Sequence, residues 1–228
     1  CLNALKNVSR SFALTIPMIE KKIRKPILVG YLLARILDSF EDEYKAKIPK
    51  KKRIQNLNQV LSIIKNPDSQ TTSSKIKKIE KNAPDYISNS YYLDLVQNFG
   101  KVIKIHQTFE PIAKSALKNW FSEMVKGMKK FLGRKIKTFK ELDEYCYYVG
   151  GTMGGFLTDL LIKHSQTLTS KQVKTLKSFY PDFGIFLQKV NVIRDFRDDV
   201  LKNKRIFWPQ RIFAAHNINS TQLLNERY

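Results

Sequence analysis

Cysteine is nearly missing. Two residues, Cys1 and Cys146, among 228 leave no disulfide framework, no cysteine metal knuckle and no persuasive nucleophile, a composition that suits a reducing cytosol. Long apolar runs are missing as well. The most apolar stretch, 27–37, is broken by Arg35 and falls short of the roughly 20 residues that a membrane span needs. No secretory signal is visible, so a cytoplasmic location is expected. No P-loop, dinucleotide fingerprint or serine-nucleophile elbow occurs, although a nicotinamide can be held by other kinds of pocket. His106, His164 and His216 are scattered without ligand or triad spacing and read as surface or structural groups. Acids are scarce: 20 against 41 lysines and arginines gives a formal charge of +21. Such a field favours anionic partners, among them nucleic acid, an anionic membrane surface and a diphosphate.

What the sequence does have is helical pattern. Hydrophobic residues make up 43% and aromatics 11%, enough for one sizeable core. Apolar residues recur at helical spacing, glycine and proline are sparse, and no stretch alternates as a strand would, so the expected fold class is all-α. Breaks are expected at Pro17, Pro26, Pro49, Pro67, Pro84, Gly133 and Pro181, leaving about eight helical segments. Cys1 opens directly into a helical pattern and 221–228 reads as a helix cut short. Residues 1–228 are therefore expected to be one domain with sequence missing at both ends.

Two segments carry the chemistry. In 30–43 (GYLLARILDSFEDE), Tyr31, Arg35, Asp38 and Asp42 are spaced four, three and four, which lines them along one side of a helix whose other sides are apolar. Glu41 joins the edge of that stripe. In 184–200 (GIFLQKVNVIRDFRDDV), Gln188, Asn191, Asp195 and Asp199 repeat the arrangement at three, four and four. Burying carboxylates costs several kcal/mol unless cations or hydrogen bonds compensate. Two buried helices with facing carboxylates can enclose hard divalent cations; magnesium, which keeps positions for water and phosphate oxygens, suits a metal-diphosphate site. An isolated acidic stripe is compatible with a solvated face or with pairing to Arg35, but a second one makes a shared site the better reading. Acidic clusters also repel nucleic-acid phosphate unless metal intervenes, which argues against that partner.

A diphosphate calls for guanidinium groups nearby, and Arg10, Arg35, Arg194 and Arg205 lie in or beside these segments. Ser9-Arg10-Ser11-Phe12 offers hydroxyls and a guanidinium at a helix start, or an ordinary cap. The segment 145–155 (YCYYVGGTMGG) has four glycines within a helical pattern, marking either tight helix packing or space for a long apolar ligand. Tyr148 within it is either a core tyrosine or a hydroxyl aimed into an apolar cavity.

Five ordered segments, Ser9 to Phe12, Tyr31 to Asp42, Tyr145 to Gly155, Phe186 to Asp195 and Arg205 to Gln210, resemble the successive signatures of the squalene/phytoene synthase family. The resemblance implies a helical isoprenoid-synthase bundle around a central cavity. It implies that Asp38, Glu41, Asp42, Asn191, Asp195 and Asp199 serve Mg2+. Ser9, Arg10, Ser11, Phe12, Tyr31, Arg35, Gln188, Asn191, Arg194 and Arg205 would bind the diphosphate or line the cavity, and Arg10, Arg35 and Arg194 would lie near NADPH in the squalene synthase branch. Tyr148 matches the tyrosine credited with a role in the cation chemistry. The implied reaction joins two farnesyl diphosphates head to head, 1-1′, through presqualene diphosphate. Squalene synthases end it by hydride delivery, whereas dehydrosqualene and phytoene synthases end it by proton loss without NADPH. Phe207-Trp208-Pro209 resembles the former and Gly151-Thr152 the latter. A non-catalytic assembly factor with the same fold is the rival from another class, and intact acidic stripes argue against it. The expected protein is a monomer, with peripheral association to an anionic membrane as its one further partner.

Overall fold

The computed structural model describes residues 1–41, 48–201 and 206–218, with the side chain of Arg10 left aside. Asp42 and Arg205, both assigned roles from the sequence, lie outside the described residues. The described residues are helical and form no β-sheet, in agreement with the expected class.

The chain opens with α1 (Leu2–Val8) and α2 (Arg10–Thr15), separated by the extended residue Ser9. The Ser9 hydroxyl caps α2 by accepting from the Phe12 N–H at 3.1 Å. A 3-10 turn, Ile16–Met18, leads into α3 (Lys21–Glu41), the axis of the fold. Fourteen of the 21 residues of α3 are buried, including Leu32, Leu33, Ile36, Leu37 and Phe40. Against it pack α4 (Lys50–Lys65), α6 (Ser90–Gln97), α7 (Phe99–Gln107) and α8 (Pro111–Phe131), while α5 (Thr72–Tyr86) packs on α4, α6 and α7. Their apolar faces close one large core, in which Phe40, Phe99, Phe121 and Phe156 are fully buried, each contributing about 2 to 3 kcal/mol by transfer from water.

Helix α9 (Phe139–Cys146) runs into a π turn, Tyr147–Gly151, and then into α10 (Thr152–His164). Phe131, Tyr145, Tyr148, Val192 and Phe207 form a second, smaller core here. Helix α11 (Ser170–Arg194), started by a Thr169/Gln172 capping box, packs on the π turn and α10 and is followed by α12 (Phe196–Leu201) and α13 (Gln210–Ala215).

Thirteen α-helices among the described residues exceed the roughly eight expected, because short breaks such as Ser9 and Asn98 divide segments that read as continuous. Three prolines fail to end helices where breaks were expected. Pro26 lies inside α3, Pro84 inside α5 and Pro181 inside α11. Each is carried within its helix although the ring forfeits one backbone hydrogen bond.

Helix α11 also departs from the expectation of a buried helix. Only Gly184 and Val192 are buried along its 25 residues. Phe179, Phe183, Phe186, Val190 and Ile193, spaced four, three, four and three, form an exposed apolar ridge. The helix docks along a single narrow side, so its apolar residues outnumber the partners that side can offer.

Candidate active site

Helix α3 positions the first set of groups. Tyr31, Arg35 and Asp38 fall on the side left uncovered by the core, as their spacing requires. Arg35 Nη1 donates to Asp38 Oδ2 at 2.8 Å, with side chains 25% and 18% exposed. Arg35 Nη2 donates to the Tyr92 hydroxyl from α6, and the guanidinium carbon stands 4.7 Å from the Tyr92 ring centre. Burial alone would lower the proton affinity of Arg35, but Asp38, Tyr92 and Tyr31 more than offset it, so the guanidinium is held more firmly protonated than usual. Its Nε is buried without an acceptor. Burial raises the Tyr31 phenol above its ordinary value, against the opposing effect of Arg35 and a hydrogen bond with Ser9. Phe12 lies over Tyr31 with ring centres 4.7 Å apart, so α2 brings Ser9 and Phe12 to the α3 stripe. Ser11 is exposed on α2 and accepts through its backbone carbonyl from Thr15. Glu41 is buried at the end of α3.

Helix α11 positions the second set. Asn191 Nδ2 donates to Gln188 Oε1 at 3.3 Å, and Arg194 holds Asp195 through Nε at 2.8 Å and Nη2 at 2.7 Å. Asp195 is the cap at which α11 ends, and Asp199 sits in α12 rather than on one continuous helix. The Asp199 N–H nevertheless donates to the Asp195 carbonyl at 2.9 Å, so the helical register crosses the junction.

Hydrogen bonding to Asp195 raises the proton affinity of Arg194, burial opposes this, and beyond Asp195 itself the charges that act on Arg194 are those of Tyr31 and Arg35. Tyr148 is nearly buried in the second, smaller core. Its described partners are Phe131, at 6.3 Å between ring centres, Tyr147, and Gly127, whose missing side chain leaves room for the Tyr148 ring. The glycines of 145–155 serve packing: a Cβ on Gly150 would meet the Gly184 carbonyl, one on Gly154 the Tyr180 carbonyl, and one on Gly155 the Trp120 ring. Tyr92 escaped the sequence reading because nothing in the acidic segment points 57 residues along the chain.

Among the described residues no three acidic, histidine or cysteine side chains cluster tightly enough to hold a metal on their own. The donor chemistry still fits Mg2+, which takes one or two carboxylates and completes its shell with water and phosphate oxygens. Asp38 and Asp195 are each engaged by a guanidinium, so a metal held by them would share their oxygens with Arg35 and Arg194. Arg35 and Arg194 are guanidinium groups of the kind that pair with phosphate oxygens.

The profile of the family "Squalene/phytoene synthase" matches residues 5–228. The chain is 29% identical over 228 residues to a squalene synthase of Dictyostelium discoideum, covering 100% of this chain and 51% of the relative. It is 30% identical over 219 residues to a lycopaoctaene synthase of Botryococcus braunii, covering 95% of this chain and 45% of the relative. The solved complex of TcSQS with the ligand BPH1237 superposes with a TM-score of 0.81 at 26% identity, over 99% of this chain and 62% of that one. The chain thus spans about half the length of the curated relatives it matches.

Proposed function

The chain belongs to the squalene/phytoene synthase family, and from that premise we propose that it condenses two farnesyl diphosphates head to head through presqualene diphosphate to squalene. What supports this reading is the family match over residues 5–228 together with a carboxylate–guanidinium pair on each acidic segment, Arg35 with Asp38 on α3 and Arg194 with Asp195 at the end of α11.

In this reading Asp38, Glu41, Asp42, Asn191, Asp195 and Asp199 would hold Mg2+, which when bound would neutralise charge on the leaving diphosphate. Arg10, Arg35 and Arg194 would hold NADPH, which when bound would supply the hydride of the squalene route. Arg35, Arg194 and Arg205 direct positive charge at the diphosphate oxygens as the carbon–oxygen bond breaks. Ser9, Ser11, Tyr31 and Gln188 add hydrogen bonds that fix its orientation. Phe12 and Tyr148 present aromatic surface to the allylic cation and keep water from it. The protein acts as a one-domain monomer, and its charge of +21 beside the exposed α11 ridge supports peripheral attachment to an anionic membrane. No helix among the described residues is long and apolar enough to cross one.

The test is a product assay with farnesyl diphosphate in which magnesium and NADPH are varied separately. Squalene formed only with both supports the reading. Dehydrosqualene formed without regard to NADPH, or phytoene from geranylgeranyl diphosphate, would move it to the proton-loss branch, and no prenyl product under any condition would sink it.

A further inference from the structure

Arg35 is a flexible side chain asked to hold one direction at the centre of the site, and Asp38 secures only its Nη1 edge. The other edge is secured by a residue outside every acidic segment. Tyr92 lies in the first turn of α6, where the Asn89 side chain caps the helix by accepting from the backbone N–H groups of Tyr91 at 3.0 Å and Tyr92 at 3.3 Å. That cap sets the start of α6 against α3. The Tyr92 hydroxyl then accepts from Arg35 Nη2 while its ring faces the guanidinium at 4.7 Å. One aromatic side chain therefore limits both the rotation and the tilt of the guanidinium plane.

We infer that Tyr92 is a positioning residue of the site, acting through Arg35 to aim its free donors at the diphosphate oxygens. The inference rests on the proposed diphosphate chemistry but on a different residue and a different contact. Tyr92→Phe keeps the ring and removes the acceptor; Tyr92→Leu removes both. Losing the charge-assisted bond is expected to weaken binding of inorganic pyrophosphate, measured by calorimetry with magnesium present, by about 10-fold, and losing the ring as well by about 30-fold or more. The product assay should fall in parallel, with the urea midpoint of the Phe variant unchanged. A merely structural role is distinguished by the Arg35→Gln background, in which Tyr92→Phe should cause no further loss of pyrophosphate affinity.

Unchanged pyrophosphate affinity in Tyr92→Phe, or an equal added loss in the Arg35→Gln background, overturns the inference, as does a wild-type protein that binds no pyrophosphate. A protein that forms no prenyl product, yet binds pyrophosphate and loses that binding in Tyr92→Phe, refutes the proposed condensation and leaves the role of Tyr92 supported.

Discussion

Gly150 and Gly184 occupy one another's side-chain space. A Cβ on Gly150 would stand 2.3 Å from the Gly184 carbonyl oxygen, and one on Gly184 2.5 Å from that of Gly150. Backbone meets backbone here, so neither partner can rotate aside. Because this contact sets how far α11 stands from the π turn, it also sets where Asn191, Arg194 and Asp195 come to lie.

Gly184→Ala is therefore expected to destabilise the fold by about 3 kcal/mol and to cost activity beyond the loss of folded protein. Urea melts read beside turnover per folded molecule check both halves.

Asp195 contrasts with it. Its pair with Arg194 is largely exposed, with side chains 46% and 61% accessible, so Asp195→Ala should move stability by less than about 1 kcal/mol. Turnover should nevertheless fall by roughly 100-fold or more, and Asp38→Ala should do the same. Full turnover in either variant, with circular dichroism unchanged, would contradict the assignment of the acids.

His106 makes folding sensitive to acid. It is fully buried and neither ring nitrogen has a hydrogen-bond partner. Burial, helped by Lys114 and opposed by Asp68, pushes its proton affinity down from 6.5 to about 4. The unfolded chain takes up this proton below about pH 6.5 and the folded one only near pH 4, so stability is intact above that window and declines through it. The decline should reach about 3 kcal/mol, and His106→Leu should flatten it, as urea midpoints between pH 7 and pH 4 will show.

The two cysteines should react unequally. Burial pushes the Cys146 thiol up to about 12, whereas Cys1 is exposed. Titration of the native protein with a thiol reagent near pH 8 should modify one thiol quickly and release the second only on denaturation.

The shared face of Tyr31, Arg35 and Asp38 on α3 was legible in the sequence because a helix converts spacing into a face, whereas the break at Asp195 that puts Asp199 on α12 was not. Helix class was legible for the same reason. Contacts that depend on the third dimension were not. Nothing local distinguishes a proline that ends a helix from Pro181, which α11 carries through, and glycines that accept another helix look the same as glycines that clear room for a ligand until Gly184 is seen against Gly150. Tyr92 reads as one of several tyrosines until α6 lies beside α3. Asp42 and Arg205 fall outside the described residues.

The burial contrast between α3 and α11 bears on how the molecule fails when warmed. Helix α3 is buried along most of its length, whereas α11 packs by one side on the π turn, α9 and α10 and buries only Gly184 and Val192 fully. Local opening begins where apolar contacts are fewest, so the arm bearing Asp195 should detach while the rest of the bundle is still helical. Catalysis would then be extinguished some degrees below the temperature at which ellipticity collapses, and cooling would restore it.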